Sequence, residues 1–367
     1  MGERGQIVVA KIGSSSITAD DGTINEAAIA KFCREVAGLR AAGHQVVMVT
    51  SGAIAAGLPA MDFDVRPRDA VTLQAVSAVG QSRLMAVYDR ELAGHGLIAG
   101  QVLLAPLDFM VREQYLHARS TLGRLLDLGV VPVVNENDAI ADDEIRFGDN
   151  DRLAALVAHL IRADLLILLT DAPGLLTADP RFDSTASLIE EILEIDHSLE
   201  ALAGGAGSDR GSGGMASKLA AAKIAAWSGV RAVIAQASRD DVLLHAVDRT
   251  AGVGTVVQPR TQRLPARKLW IAFAVGAAGT IVVDEGARRA LLERGVSLLP
   301  AGVVDVKGGF DVDAAVEIAG PDGRAFAKGL SRFDAAGLRS VLGTRTEHLP
   351  EGSPHEVVHR DDLVVLP

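Results

Sequence analysis

One cysteine, two tryptophans and two tyrosines in 367 residues leave this chain with almost no aromatic surface and no means of cross-linking itself. Cys33 has no partner for an internal disulfide, so a secreted disulfide scaffold is excluded. Its neighbours Phe32 and Val36 place it on the apolar side of a helix, as a buried structural thiol rather than a reactive one. Aromatic residues make up only 4% of a chain that is 49% hydrophobic, so the core must be built from Val, Leu, Ile and Ala. Such a core suits a parallel sheet covered by helices. Positive charge is also in deficit: 36 Lys and Arg against 47 Asp and Glu give a net charge of −11. That balance argues against a general nucleic-acid or membrane-surface binder. No apolar run approaches the ~18 residues of a membrane span, and no basic segment followed by an apolar one opens the chain. A cytoplasmic protein is expected.

What is present is a regular alternation. Gln6 to Ile12 reads as a strand with one cation, Lys11, near its end, and Gly13 to Ser16 follow as a loop of small residues. Asn25 caps a helix bearing Ile29, Phe32, Val36 and Leu39 on one stripe, closed by Gly43. Strands are expected at Val46–Thr50, Leu97–Leu104, Val130–Val134, Leu165–Leu169 and Val230–Ala235. Between them the pattern predicts two helices over Asp69–Gly94, divided near Gly80, and further helices over Tyr115–Leu128, about Leu153–Leu160, Lys218–Trp227 and Asp240–Val247. Strands alternating with helices imply a mostly parallel, open α/β sheet with helices on both faces. In such sheets ligands bind at the carboxyl ends of the strands. The stretch from Asn135 to Arg181 matters most, because a polar cluster, a helix, a buried strand and the pair Thr170-Asp171 would deliver two polar patches to that edge.

At this length two domains are expected. Gln258 to Lys268 is charged, contains two prolines and lacks apolar periodicity, so it reads as a linker. Beyond it, short runs at Gly279–Val283, Val303–Val306 and Ala315–Ile318, with helices at Gly286–Arg294 and Asp334–Val341, suggest a small, mainly β module. The division expected is 1–258, a linker 259–268, and 269–367.

The chemistry-bearing residues cluster. Residues 211–216 (GSGGMA) fit a dinucleotide fingerprint by spacing, but no strand precedes them, and Lys218 lacks the glycine of a Walker loop. They form either a plain flexible loop or a phosphate loop with Lys218 as a mobile charge. Lys11 belongs at an exposed strand end or inside a site, because burying an unpaired ammonium is costly. Asp138, Asp149, Asp151 and Asp171 can each be read as caps or turn residues. Taken with the two lysines and the glycine-rich backbone, they resemble a site that handles phosphates and a divalent cation. No histidine lies in these clusters and no Cys/His grouping has zinc spacing, so acyl-transfer triads and zinc chemistry are unsupported.

Six motifs occur in one order along the chain: KIGSS from Lys11, TSGAIAAG from Thr50, VVNEND from Val133, GDND from Gly148, LTD from Leu169 with TADPR from Thr177, and GSGGMASK ending at Lys218. Together they resemble the glutamate 5-kinases of the amino acid kinase fold, and the likeness continues into a C-terminal PUA domain. Ala10, Leu176, Ser212 and Ser217 depart mildly from the residues usual there. The resemblance implies phosphorylation of the γ-carboxylate of L-glutamate by ATP, the first step of proline biosynthesis. Lys11, Lys218 and Asp151 would be catalytic; Ser51, Asp138 and Asn150 would bind glutamate. ATP would meet Lys11, Thr170, Asp171 and the run Ser212, Gly213, Gly214, Met215, Ala216, Ser217 and Lys218, with Mg²⁺ near Asp171. The resemblance further implies a homo-oligomer, inhibition by proline, and possible hand-over of product to the next enzyme. The alternatives are a kinase of the same fold acting on N-acetylglutamate, aspartate, carbamate or UMP, or an RNA-binding PUA protein. Residues 269–367 hold ten Lys and Arg against fourteen Asp and Glu, which disfavours RNA.

Overall fold

The computed structural model describes residues 5–19, 23–63, 65–140, 150–204, 214–261 and 263–366. The chain folds as two compact units, the first ending at Arg263 and the second beginning at Leu264.

The first unit is built on an eight-stranded sheet. Its strands are β1 (Ile7–Ile12), β2 (Gln45–Val49), β3 (Ala99–Leu104), β4 (Val131–Glu136), β5 (Leu165–Thr170), β6 (Glu191–Ile192), β7 (Arg231–Gln236) and β8 (Gly254–Val257). They run in the order β3-β4-β2-β1-β5-β7-β8-β6. Central β1 pairs in parallel with β2 on one side and β5 on the other. β5 is buried along all six residues, and β1 along all but Ile7. That is why both read as unbroken apolar runs rather than alternating ones. One pair departs from the parallel pattern: β8, which the apolar pattern did not reveal, runs antiparallel to β7.

Helices cover both faces. Asn25 caps Glu26–Ala41 by accepting from the Ala28 amide at 3.1 Å. Glu26 in the first turn and Arg40 in the last match the helix dipole. Cys33 lies fully buried in this helix, and burial, followed by the charge of Glu91, pushes its thiol up to about 12, which fits an inert core residue. The segment expected to be two helices is one, Ala70–Gly94, 25 residues long. Gly80 does not break it. A Cβ there would stand 1.8 Å from the Ala53 carbonyl oxygen and 2.5 Å from the Gly57 nitrogen. Its glycine therefore serves the close approach of the short helix Ala53–Gly57.

The second unit has its own five-stranded sheet, ordered β10-β9-β11-β12-β13. The strands are β9 (Gly279–Val283), β10 (Val303–Gly308), β11 (Ala315–Ala319), β12 (Ala325–Leu330) and β13 (Leu363–Val365). β9 and β11 are parallel and the other pairs antiparallel. Ile281, Val283, Leu291, Val316, Ile318 and Phe326 fill its core. Asp284 and Asp334 cap two of its α-helices, Glu285–Arg294 and Ala335–Ser340. The strands β12 and β13 were not evident in the sequence, because Lys328 and the short terminal run hide the alternation.

Candidate functional site

Because β1, β2, β4, β5 and β7 all run the same way, their carboxyl ends share one edge. β1 brings Lys11 there, β2 leads into Thr50 and Ser51, β4 carries Asn135 and Glu136, and β5 ends at Thr170. The helix Asn150–Leu160 starts at the same edge, which puts Asn150 and Asp151 in its first turn. Gly214 caps the helix Met215–Trp227, which holds Ser217 and Lys218 one turn in.

Three charges distant in sequence converge. The Lys11 Nζ lies 2.6 Å from one oxygen of Asp151, and the Lys218 Nζ lies 3.1 Å from the other. Ser217 Oγ donates to that second oxygen at 2.9 Å. Lys11 is 3% exposed, Lys218 5% and Asp151 0%. Burial pushes the Asp151 carboxyl up, but the fields and hydrogen bonds of the two ammonium groups outweigh it and hold the group below the usual carboxylate range.

A polar relay adjoins the triad. Asn150 Nδ2 donates to the Thr50 carbonyl at 2.5 Å and to Asn135 Oδ1 at 2.6 Å; Asn135 Nδ2 donates in turn to Gln81 Oε1 at 2.7 Å. Thr50 Oγ1 and Tyr88 OH, both buried, lie 2.7 Å apart. Ser77 Oγ donates to Asp138 Oδ2 at 2.8 Å. Ser51 follows Thr50 directly. It precedes Gly52, whose φ of +94° makes the turn into the helix Ala53–Gly57.

Beside the end of β5 opens a cleft of about 440 Å³ whose lining includes Ser15, Ser16, Lys31, Thr170, Asp171 and Ser238. Thr170 Oγ1 donates to Asp171 Oδ1 at 3.0 Å. Lys31 fastens the loop after β7, donating to the carbonyls of Ala237 at 3.0 Å and Arg239 at 2.7 Å, and it pairs with Glu35. Glu35 accepts from the Leu243 amide at 3.1 Å.

Of the residues singled out from sequence, Lys11, Asp151, Lys218 and Ser217 meet directly; Asn150 joins the relay, and Ser51, Asp138, Thr170, Asp171, Gly214, Met215 and Ala216 lie in the segments around them. Gly148, Asp149, Ser212 and Gly213 lie outside the described residues. Sequence reasoning missed Ser77, Gln81, Lys31 and Glu35, and gave Asn135 no role beyond its place in the polar cluster and the VVNEND motif. Ser77 and Gln81 carried a readable signal: they are polar residues four apart on a helix stripe shared with Val76 and Leu84.

A sequence model of the amino acid kinase family matches residues 6–236, and one of the PUA domain matches residues 279–350. A solved carbamate kinase from Giardia lamblia bound to AMP-PNP superposes with a TM-score of 0.51 at 16% identity, over 70% of this chain and 99% of that one. That likeness concerns the fold. The first unit is thus an amino acid kinase domain and the second a PUA domain. Glutamate 5-kinases of Burkholderia multivorans and Burkholderia vietnamiensis are 46% and 45% identical to this chain, each over 98% of it and 97% of the relative. The chain belongs to the amino acid kinase family and, within it, to the glutamate 5-kinases.

Proposed function

We propose that the protein transfers the terminal phosphoryl group of ATP to the γ-carboxylate of L-glutamate, forming ADP and L-glutamyl 5-phosphate for proline biosynthesis. The observation that carries this reading, alongside family membership, is the pair of buried ammonium groups on one buried carboxylate at the ligand-binding edge. The acceptor is already ionised at neutral pH, with a reference pKa of ~4.3, so no general base is needed. The difficulty is to bring one anion against another. Lys11 and Lys218 meet that difficulty by neutralising charge on the transferring group, and Asp151 with Ser217 fixes where they stand. Thr170, Asp171 and the run 212–218 take the nucleotide. Ser51, Asn150 and Asp138 take glutamate, with Asp138 facing the α-ammonium and so disfavouring acceptors whose nitrogen is acylated.

Among the described residues no group of three or more His, Cys, Asp or Glu side chains is placed to hold a metal alone. A single carboxylate, Asp171, fits a Mg²⁺ ion that arrives on nucleotide phosphates, since that ion takes few protein ligands and keeps several waters. Bound there, it would neutralise phosphate oxygens. Proline inhibits by competing for the glutamate pocket, and the enzyme works as a homo-oligomer in the cytoplasm. No helix among the described residues is long and apolar enough to cross a membrane. Product hand-over to the next enzyme completes the reading.

The test is glutamate-dependent ADP release, with hydroxylamine trapping the acyl phosphate. Glutamate should be the preferred acceptor over N-acetylglutamate, aspartate, carbamate and UMP. Preference for any of these four would overturn the assignment.

A further inference from the structure

The opposite edge of the first sheet holds a second cavity, of about 230 Å³, lined by Gln6, Asp164, Gly229, Arg231, Arg249, Gln258 and Pro259. Gln6, Asp164 and Arg231 stand at the amino ends of β1, β5 and β7, and Gln258 follows the carboxyl end of antiparallel β8. Six-residue strands put this cavity roughly 20 Å from the lysine-bearing edge.

Its chemistry runs against that of the whole chain. In a protein of net charge −11, the cavity is lined by two arginines and one aspartate. Arg231 is only 6% exposed, and among the described residues its side chain makes one hydrogen bond, to the Ala246 carbonyl at 2.9 Å. Among the described residues no carboxylate stands within ion-pair distance of Arg231 or Arg249. No Arg231 nitrogen is both buried and without a partner, so the donors not used on Ala246 open on the cavity, where a guanidinium is a ready partner for an anion. Burial first, then the positive charge of Arg249, pushes Arg231 below the usual arginine range, which means the two cations sense each other. Asp164 is the obvious neutraliser, but it is exposed and its Oδ2 already accepts from the Ile7 amide at 2.8 Å. Gln6 Oε1 is buried without a hydrogen-bond partner; turned about its last bond, the amide would present donors instead. Arg249 holds a φ of 58° as the residue that ends the helix Val242–Val247, where the Thr250 amide donates back to the His245 carbonyl at 2.9 Å.

We propose that this cavity binds a small oxyanion, a carboxylate or phosphate group gripped between Arg231 and Arg249. The planar guanidinium fork matches both groups in bidentate geometry. Arg249 lies on the loop from the helix Val242–Val247 to β8, so the bound anion ties that loop to the start of the sheet and stabilises the first unit.

The test is thermal unfolding of the full chain, with the kinase edge saturated by glutamate and a non-hydrolysable ATP analogue. Inorganic phosphate or succinate is titrated at constant ionic strength. Wild type should show a saturable rise in Tm, and the anion with the lower midpoint identifies the source of the group. Arg249→Asn, chosen because Asn tolerates positive φ, should raise that midpoint at least tenfold and leave kcat and both KM values unchanged. Arg231→Gln should do the same if it folds, and the Arg249 variant decides if it does not. No saturable response to either anion, or the same midpoint in Arg249→Asn as in wild type, overturns the proposal.

Discussion

Asp151 has no exposed surface and two cations to itself, so its removal is felt twice. Asp151→Asn leaves two ammonium groups buried without a counter-charge; we expect a loss of about 3–5 kcal/mol in denaturant unfolding, with kcat falling as the lysines lose their anchor. Because the carboxyl is held below its ordinary 3.8, its contribution is full above that value and vanishes only as pH falls through the lower, folded one. Lys218 and Asp138 should separate kinetically. Lys218→Ala should lower kcat by about 10²–10³-fold, as for loss of a transition-state contact. Asp138→Ala should raise the glutamate KM steeply and leave the ATP KM near wild type; equal changes in both would remove Asp138 from the glutamate pocket.

His159 works in the other direction. Burial, then the charges of Arg263, Arg119 and Arg162, lower it from 6.5 to about 4. Above pH 6.5 the ring is neutral in both states and its packing counts in full. As pH falls the unfolded chain takes up the proton first, so stability declines from about 6.5 until the folded ring titrates near 4. A Tm profile across that window should flatten in His159→Gln, and an unchanged slope would show that other groups carry the decline.

Among the elements, the pairing of Ala53–Gly57 with Ala70–Gly94 frames the part of the site proposed to take glutamate, because Ser51 leads into the first and Ser77 and Gln81 belong to the second. Gly80→Ala sets a methyl against backbone atoms that cannot yield. It should destabilise by about 1–3 kcal/mol and raise the glutamate KM. Gly38 offers the control. It sits within Glu26–Ala41, with nothing inside 4 Å of an added Cβ, and Gly38→Ala should stabilise by about 0.4–1 kcal/mol.

Strand and helix types were legible because the core is aliphatic and the sheet parallel: β1 and β5 cannot be mistaken when both faces are buried. Gly80 misled because helix propensity is a local quantity, and the reason for this glycine lies on another helix. β8 escaped notice for a related reason, since a four-residue strand has too few positions to show a period. At the site, Lys11 stood out as a cation in an apolar strand, while Asp151 and Lys218 were legible through the polar cluster and the glycine-rich run beside them. The pairing of Gln81 with Asn135, and the arginines at the far edge, depend on contacts between segments, which the spacing within one helix does not encode.

For the molecule as a whole, each unit has a core of its own. A chain ending at Arg263 should therefore fold and retain glutamate kinase activity, changing in assembly or in its response to proline; failure to fold would show that the second unit is needed for the first. The negative balance of residues 269–367 also predicts no measurable RNA affinity at physiological salt, which a filter-binding assay can check.

The two lysines already share a resident anion before any nucleotide arrives. On the proposed function, an arriving polyphosphate would therefore meet two cations and one fixed anion that sum to a single positive charge, as on a resin already partly loaded. The Asp151 carboxylate is part of the chain and stays in the pocket, so nucleotide affinity should fall with added salt less steeply than two unpaired cations would require.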